Sequence, residues 1–253
     1  MKKQIFLALV CAGTAGSCKK KNDDVTPQQG ARQLTSTVAA ISGRSVTYQL
    51  VYDGKNRLSE YKSAEDEYRS KVTYDAKDNP VKFEIESDQT TQVFEVTYGE
   101  NGVPASTTHR LFDPETPGEV SETLITYEIS GGKIGKMRIS DGSGVVYSYV
   151  LTYSGNNLTR VTNDAGELIL GWKHGSKKSP YSSARFRYPV IPDLLPLFSS
   201  ENEIVETTVV LPEYGTTILK EEYQYDADGY PTSSVMKDEA GNLVQRIDFH
   251  YRQ

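Results

Sequence analysis

Apolar and polar positions alternate along most of this chain. Val46, Tyr48, Leu50 and Tyr52 are interleaved with Thr47 and Gln49, and Val145, Tyr147, Tyr149, Leu151 and Tyr153 keep the same even spacing. A period of two over six to nine residues places one apolar face on a half-buried strand. The pattern predicts strands near 46–53, 57–62, 68–75, 80–87, 91–98, 104–111, 119–129, 133–140, 145–153, 157–163 and 167–173. A second run is expected near 203–211, 217–226, 231–237 and 243–251. Short polar stretches separate them, so sequential strands pair antiparallel and the chain reads as an all-β up-and-down meander of about fourteen to fifteen strands. A sheet of that many strands left flat exposes pairing edges, which predicts strong curling or closure into a barrel.

The connections share one phrase: a strand ends on an aromatic, a polar corner follows, and a new strand begins. It occurs as Tyr52-Asp53-Gly54-Lys55-Asn56, Tyr74-Asp75-Ala76-Lys77-Asp78-Asn79-Pro80, Tyr98-Gly99-Glu100-Asn101-Gly102 and Tyr153-Ser154-Gly155-Asn156. The fullest copy is Tyr225-Asp226-Ala227-Asp228-Gly229-Tyr230-Pro231. Looser copies sit at Tyr127 with Gly131-Gly132 and at Trp172 with Gly175. Asp, Asn and Gly tolerate positive φ, as a short hairpin loop with a bulge requires. Pro80, Pro104 and Pro231 stand where a strand begins and a missing N–H does least harm. The recurring tyrosines read as packing, each ring covering its cross-strand neighbours.

One insert, about 176–202, breaks the meander. Its prolines preclude a long helix, a single turn is expected around Asp193 to Phe198, and Val190, Ile191, Leu194, Leu195, Leu197 and Phe198 are too apolar to stand in water. It is expected to cap or plug the curled sheet.

The N-terminus changes the picture of where the chain resides. Lys2-Lys3, an apolar run from Ile5 to Ala12 and the small residues Ala15-Gly16-Ser17 form a secretory leader over 1–17. Its ending resembles the lipobox of bacterial lipoproteins, with Ala15 in place of the usual Leu, which makes Cys18 the lipidated first residue and the membrane a partner through that anchor. Residues 18–43 read as a flexible tether, Lys/Asn/Asp-rich and then Pro/Gln/Gly/Ser/Thr-rich, and 44–253 as one all-β domain. The charged start of the tether resembles export signals of surface-displayed lipoproteins, so the expected location is the outer membrane, facing the cell surface or else the periplasm. Removing Lys2 and Lys3 with the leader leaves 26 basic against 34 acidic residues, a net charge near −8, which argues against nucleic acid as a partner. A permanent membrane-spanning barrel fits poorly, because Lys71, Lys82, Glu84, Glu86, Glu95, Arg138, Glu221 and Glu222 are spread through the strands and charge on a lipid face is costly.

Candidate chemistry is sparse. Asp226-Ala227-Asp228-Gly229 matches the opening of a calcium loop, but Pro231 and Thr232 do not continue it, and a hairpin corner needs the same residues. His109, His174 and His250 lack metal-ligand spacing, no serine lies in G-x-S-x-G, and no phosphate-binding loop is present. No cofactor is expected. Trp172, the sole tryptophan, reads as packing beneath the insert, with stacking against a flat ligand as the alternative.

Taken together, the lipobox, the Tyr-Asp hairpins, Ser179-Pro180-Tyr181, Ser200-Glu201-Asn202-Glu203-Ile204 and the closing Tyr223 to Thr232 resemble a family of uncharacterised bacterial lipoproteins described as having a porin-like β fold. The match spans Arg44 to the C-terminus and is strongest over Pro180 to Thr232. The corners also resemble the YD repeats of large toxin shells, which need many more copies to enclose cargo. The resemblance implies architecture and carries over no catalytic residues. The expected function is a non-catalytic envelope lipoprotein with a binding, interaction or structural role, its partner an envelope protein, a glycan or a small apolar ligand. A carrier enclosing such a ligand in the curled sheet is the alternative, and a glycan-acting enzyme a more distant one.

Overall fold

The computed structural model describes residues 32–41, 43–63, 65, 67–113, 120–142, 144–191, 198–211 and 213–252. They form β1 (Leu34–Ile41), β2 (Arg44–Tyr52), β3 (Leu58–Ser63), β4 (Tyr68–Tyr74), β5 (Pro80–Glu86), β6 (Thr91–Tyr98), β7 (Pro104–Phe112) and β8 (Val120–Ser130). The chain continues through β9 (Lys133–Asp141), β10 (Gly144–Ser154), β11 (Asn157–Thr162), β12 (Leu168–Lys178), β13 (Asn202–Leu211), β14 (Gly215–Tyr225), β15 (Pro231–Asp238) and β16 (Leu243–Tyr251). Every strand pairs antiparallel with its sequence neighbours, and β1 pairs with β16 from Leu34↔Tyr251 to Ile41↔Gln245, closing a sixteen-strand barrel.

Fifteen of these strands stand where the alternation places them. The sixteenth, β1, falls in the stretch read as tether, so strand structure begins at Leu34 and not after residue 43. Its Leu34, Thr37 and Ala39 are buried facing the lumen, and Thr35, Ser36 and Ala40 give it the small, hydroxylated look of a tether. The leader, Cys18 and the rest of the tether, through residue 31, lie outside the described residues.

The wall is polarised by the pleat. On β5, Phe83 and Ile85 are buried inward while Lys82, Glu84 and Glu86 face out. The outer face carries ion pairs: Lys82 to Glu84 at 2.9 Å, Arg110 to both Glu95 and Glu122 at 2.7 Å, Lys237 to Glu222 at 2.9 Å, and Glu60 to Lys62 at 2.8 Å and to Arg69. Exposed pairs of this kind contribute about 0–1 kcal/mol each, so they define which side meets solvent more than they stabilise the fold.

The insert between β12 and β13 folds into the barrel. Among its described residues it carries one 3-10 turn, at Ser182–Ala184, and Tyr181, Ala184, Tyr188, Val190, Ile191 and Phe198 are all buried. Phe198 meets Tyr61 of β3 edge-on at 5.9 Å and Phe186 meets Phe83 of β5 at 5.3 Å. Tyr127 of β8 donates to the Val190 carbonyl at 2.9 Å, and Leu34 of β1 donates to the Ser183 hydroxyl at 3.2 Å. Contacts to β1, β3, β5 and β8 from a single segment place it in the lumen, as a plug strapped across the ring. Its ends are pinned together by Ser179 N–H to Glu201 O at 3.0 Å and Phe186 N–H to Phe198 O at 2.8 Å. The turn expected over Asp193 to Phe198 falls almost wholly on 192–197, outside the described residues.

Closure makes a direct prediction. Deleting residues 34–41 leaves β2 and β16 with unpaired edges, so the shortened chain is expected to lose its folded monomer by size-exclusion chromatography and circular dichroism. A monomeric, cooperatively unfolding deletion variant would show the ring to be dispensable.

Candidate functional site

The corners are one geometry repeated. In the loops led by Asp53, Asp75, Gly99 and Asp226, the first residue's carbonyl accepts from the N–H three residues on, and its N–H donates to the carbonyl four residues on. The fourth position has positive φ in each: Asn56 at 61°, Asp78 at 65°, Gly102 at 70° and Gly229 at 80°. The leading carboxylates cap the turn from within. Asp53 accepts from Lys55 and Arg57 N–H, Asp75 from Lys77 and Asn79, and Asp226 from Asp228 and Tyr230, all within 2.8–2.9 Å. Desolvation pushes Asp53 and Asp75 up, but the side chains of Arg57 and Asn79 and the turn N–H groups outweigh it and hold both below the ordinary carboxylate range. In the Gly99 corner the Asn101 side chain accepts from Val103 N–H at 3.2 Å. The turn after β10 is a two-residue loop, Gly155-Asn156, in which Gly155 has positive φ and Asn156 reaches Glu201 at 3.2 Å.

Two further corners, led by Asn163 and Asp238, share the geometry at the opposite end of the barrel, with Gly166 and Gly241 at positive φ. They lack the tyrosine; a D/N-x-x-G spacing taken alone would have found them.

The tyrosines before the corners do more than cover neighbours. Tyr52 donates to the carbonyl of Leu34, Tyr74 to Leu58 and Tyr98 to Pro80, at 2.7–3.1 Å. Each acceptor is the first residue of the odd-numbered strand one hairpin back, so each ring latches its hairpin to the preceding one. The exposed Arg32 guanidinium grips Asp226 and Asp228 and lies 5.2 Å from the Tyr230 ring, which ties the start of β1 to the corner before β15.

These groups serve the backbone and gather around no common cleft. His109, His174 and His250 stand on β7, β12 and β16, and among the described residues no three metal-type side chains converge. His109 stacks on Phe94 at 4.2 Å and bonds Gln92 and Thr123. Trp172 is 6% exposed within the apolar core cluster that includes Leu158 and Ile204, so its faces are occupied by packing. Between the strap and the wall around Phe83 and Ile191 the free volume is about 10 Å³, at most the space of one water. A solvent-open polar groove of about 680 Å³ lies by Thr47, Gln49, Lys62, Glu67, Arg69 and Glu86 toward the β3–β4 connection.

One arc of the lumen is unlike the rest. On β14 the inward face runs Leu219, Glu221, Tyr223, Tyr225, and Ser234 of β15 stands opposite Tyr223. Glu221 is 4% exposed, and both of its carboxyl oxygens, the Tyr223 phenol, the Ser234 hydroxyl and the Thr207 hydroxyl of β13 are buried without a hydrogen-bond partner among the described residues. Ser234 and Tyr223 lie close enough to pull the Glu221 carboxyl down, without meeting hydrogen-bond geometry; burial outweighs them and pushes it up to about 8. A second buried acid, Glu203, accepts from the Lys177 N–H at 2.7 Å. In the sequence Glu221 reads as one more strand charge beside Glu222; the even spacing from Tyr223 and Tyr225 is the signal that turns it inward.

No family model matches the chain, and no curated protein matches it. Among solved structures it is similar to a porin-like protein from Bacteroides vulgatus, with a TM-score of 0.54 at 12% identity over 88% of this chain and 99% of that one. A porin-like protein from Bacteroides uniformis is similar with a TM-score of 0.53 at 15% identity, covering 86% and 96% respectively. At such identities the likeness concerns the barrel fold.

Two outcomes follow from the latches and the buried acid. Tyr98→Phe, which leaves the Pro80 carbonyl without its donor, is expected to lower stability by about 1 kcal/mol in urea titration; an unchanged midpoint would remove the latch role. A carboxyl whose folded pKa is raised contributes stability that is complete below its unfolded value near 4.5 and is lost as pH rises toward about 8. Glu221→Gln should therefore gain thermal stability relative to wild type across that window, by at most about 1.4 kcal/mol per pH unit. Parallel pH profiles for the two chains would contradict it.

Proposed function

We propose that this chain is a non-catalytic lipoprotein of the bacterial cell envelope, held by a lipid on Cys18 and acting through binding or interaction at its outer surface. The observation that carries this reading is the polarity of the barrel. Charge ladders cover the outer wall and an apolar strap fills part of the lumen, the reverse of a lipid-facing barrel around a water-filled channel. The likeness to porin-like proteins supports the architecture and an envelope setting, while the charged outer wall speaks against transport across a bilayer by this barrel. The tight fit around Phe83 and Ile191 gives an apolar passenger no room there, which favours interaction over carriage. The open groove beside Lys62, Arg69 and Glu86 supplies both signs of charge for a polar partner such as a glycan or an envelope protein.

The test compares wild type with Cys18→Ala in a Gram-negative host. Wild type is expected in the membrane fraction until detergent is added, and the variant as a folded monomer in detergent-free buffer that produces no conductance in planar bilayers. Membrane retention of the variant, or channel activity from it, would overturn the proposal.

A further inference from the structure

We infer that the β13–β15 wall of the lumen holds a binding site for one monovalent hard cation, sodium or potassium, built on the Glu221 carboxylate and flanked by the hydroxyls of Thr207, Tyr223 and Ser234. The register supplies the arrangement. Thr207 is opposite Leu219, two residues before Glu221 on the same face, and Ser234 is opposite Tyr223, two residues after it. The carboxyl is thus flanked diagonally by a hydroxyl on each neighbouring strand and by a phenol on its own. All of these oxygens are buried, and none has a hydrogen-bond partner among the described residues. Several orphaned polar atoms around one buried carboxyl call for a guest that serves all of them.

Protonating Glu221 removes the charge and lets the Ser234 and Tyr223 hydroxyls settle onto the carboxyl, but it leaves the Thr207 hydroxyl unserved. A cation is coordinated by the carboxylate and by hydroxyl lone pairs together, and an all-oxygen donor set selects a hard ion. The single carboxylate at the centre of the cluster favours a monovalent ion, and the other buried acid, Glu203, stands toward Tyr225, where it accepts from the Lys177 N–H. Among the described residues no trio of His, Cys, Asp or Glu is available for a divalent or transition metal. The remaining ionisable neighbours are Tyr225 on β14, Glu203 on β13, His174 and Lys177 on β12, Tyr251 on β16 and Tyr181 on the strap. Lys177 lies toward the Tyr225 end of the arc, its ammonium 5.8 Å from that ring.

Proton and cation compete for the same oxygens. With the carboxyl pushed up to about 8, apparent affinity should fall about tenfold for each pH unit below that value.

The experiment follows the thermal midpoint of the purified chain as choline chloride is replaced by sodium or potassium chloride at constant ionic strength, at about pH 8.5 and about pH 6. The expected result is a midpoint that rises with the alkali ion at the higher pH, a half-effect concentration more than tenfold larger at the lower pH, and no response in Glu221→Gln. If that variant does not fold, Ser234→Ala decides, with an expected half-effect concentration several-fold higher than wild type. Coincident alkali and choline curves for wild type, which would mean a site holding only a proton or water, overturn the proposal. So does an undiminished alkali response in Glu221→Gln, or in Ser234→Ala where that variant decides.

Discussion

A closed ring of sixteen strands encloses more space than its own inward side chains can fill, and this constraint governs the rest of the molecule. The chain answers it by interrupting its meander once, between β12 and β13, and laying that segment through the lumen. The segment is apolar because it has become the centre of a core whose shell is the barrel. Phe198 against Tyr61 and Phe186 against Phe83 are contacts between centre and shell. The same constraint explains the outer face. With burial assigned to the inside, the alternate positions of each strand are free to carry the Lys, Arg, Glu and Asp that meet solvent.

Most of this was legible in the sequence because strand alternation and corner chemistry are local signals. The Asp that leads most corners, the positive-φ residue three positions on and the proline that opens β5, β7 and β15 all report on a few neighbouring atoms. What escaped is what depends on distant partners. β1 is strand because β2 and β16 flank it, and the Thr, Ser and Ala within Leu34–Ile41 hide it in a stretch that begins with the Pro/Gln/Gly run before it. The hydroxyls of Tyr74 and Tyr98 end on Leu58 and Pro80, a distance along the chain that no alternation pattern encodes. The corners at Asn163 and Asp238 escaped for a smaller reason, the missing aromatic.

The β13–β15 arc departs furthest from a wall that is mainly apolar inside and charged outside, because it buries the Glu221 carboxyl. Leu219 and Met236 form a small apolar cluster apart from the two large ones, and beside it Glu221 brings a carboxyl to an inward position. A carboxyl at an inward position directs attention to that place, since an uncompensated buried carboxyl is costly to retain.

The tyrosine latches set how such a ring can change size. Each hydroxyl reaches only as far as the adjoining hairpin, so a duplicated hairpin brings its own fastening and finds a ready acceptor, and the circumference can grow or shrink by two strands without redesign of the seam. The strap has no such modularity. A wider ring would leave it rattling and a narrower one would expel it, so the filling, more than the wall, fixes the gauge of this barrel.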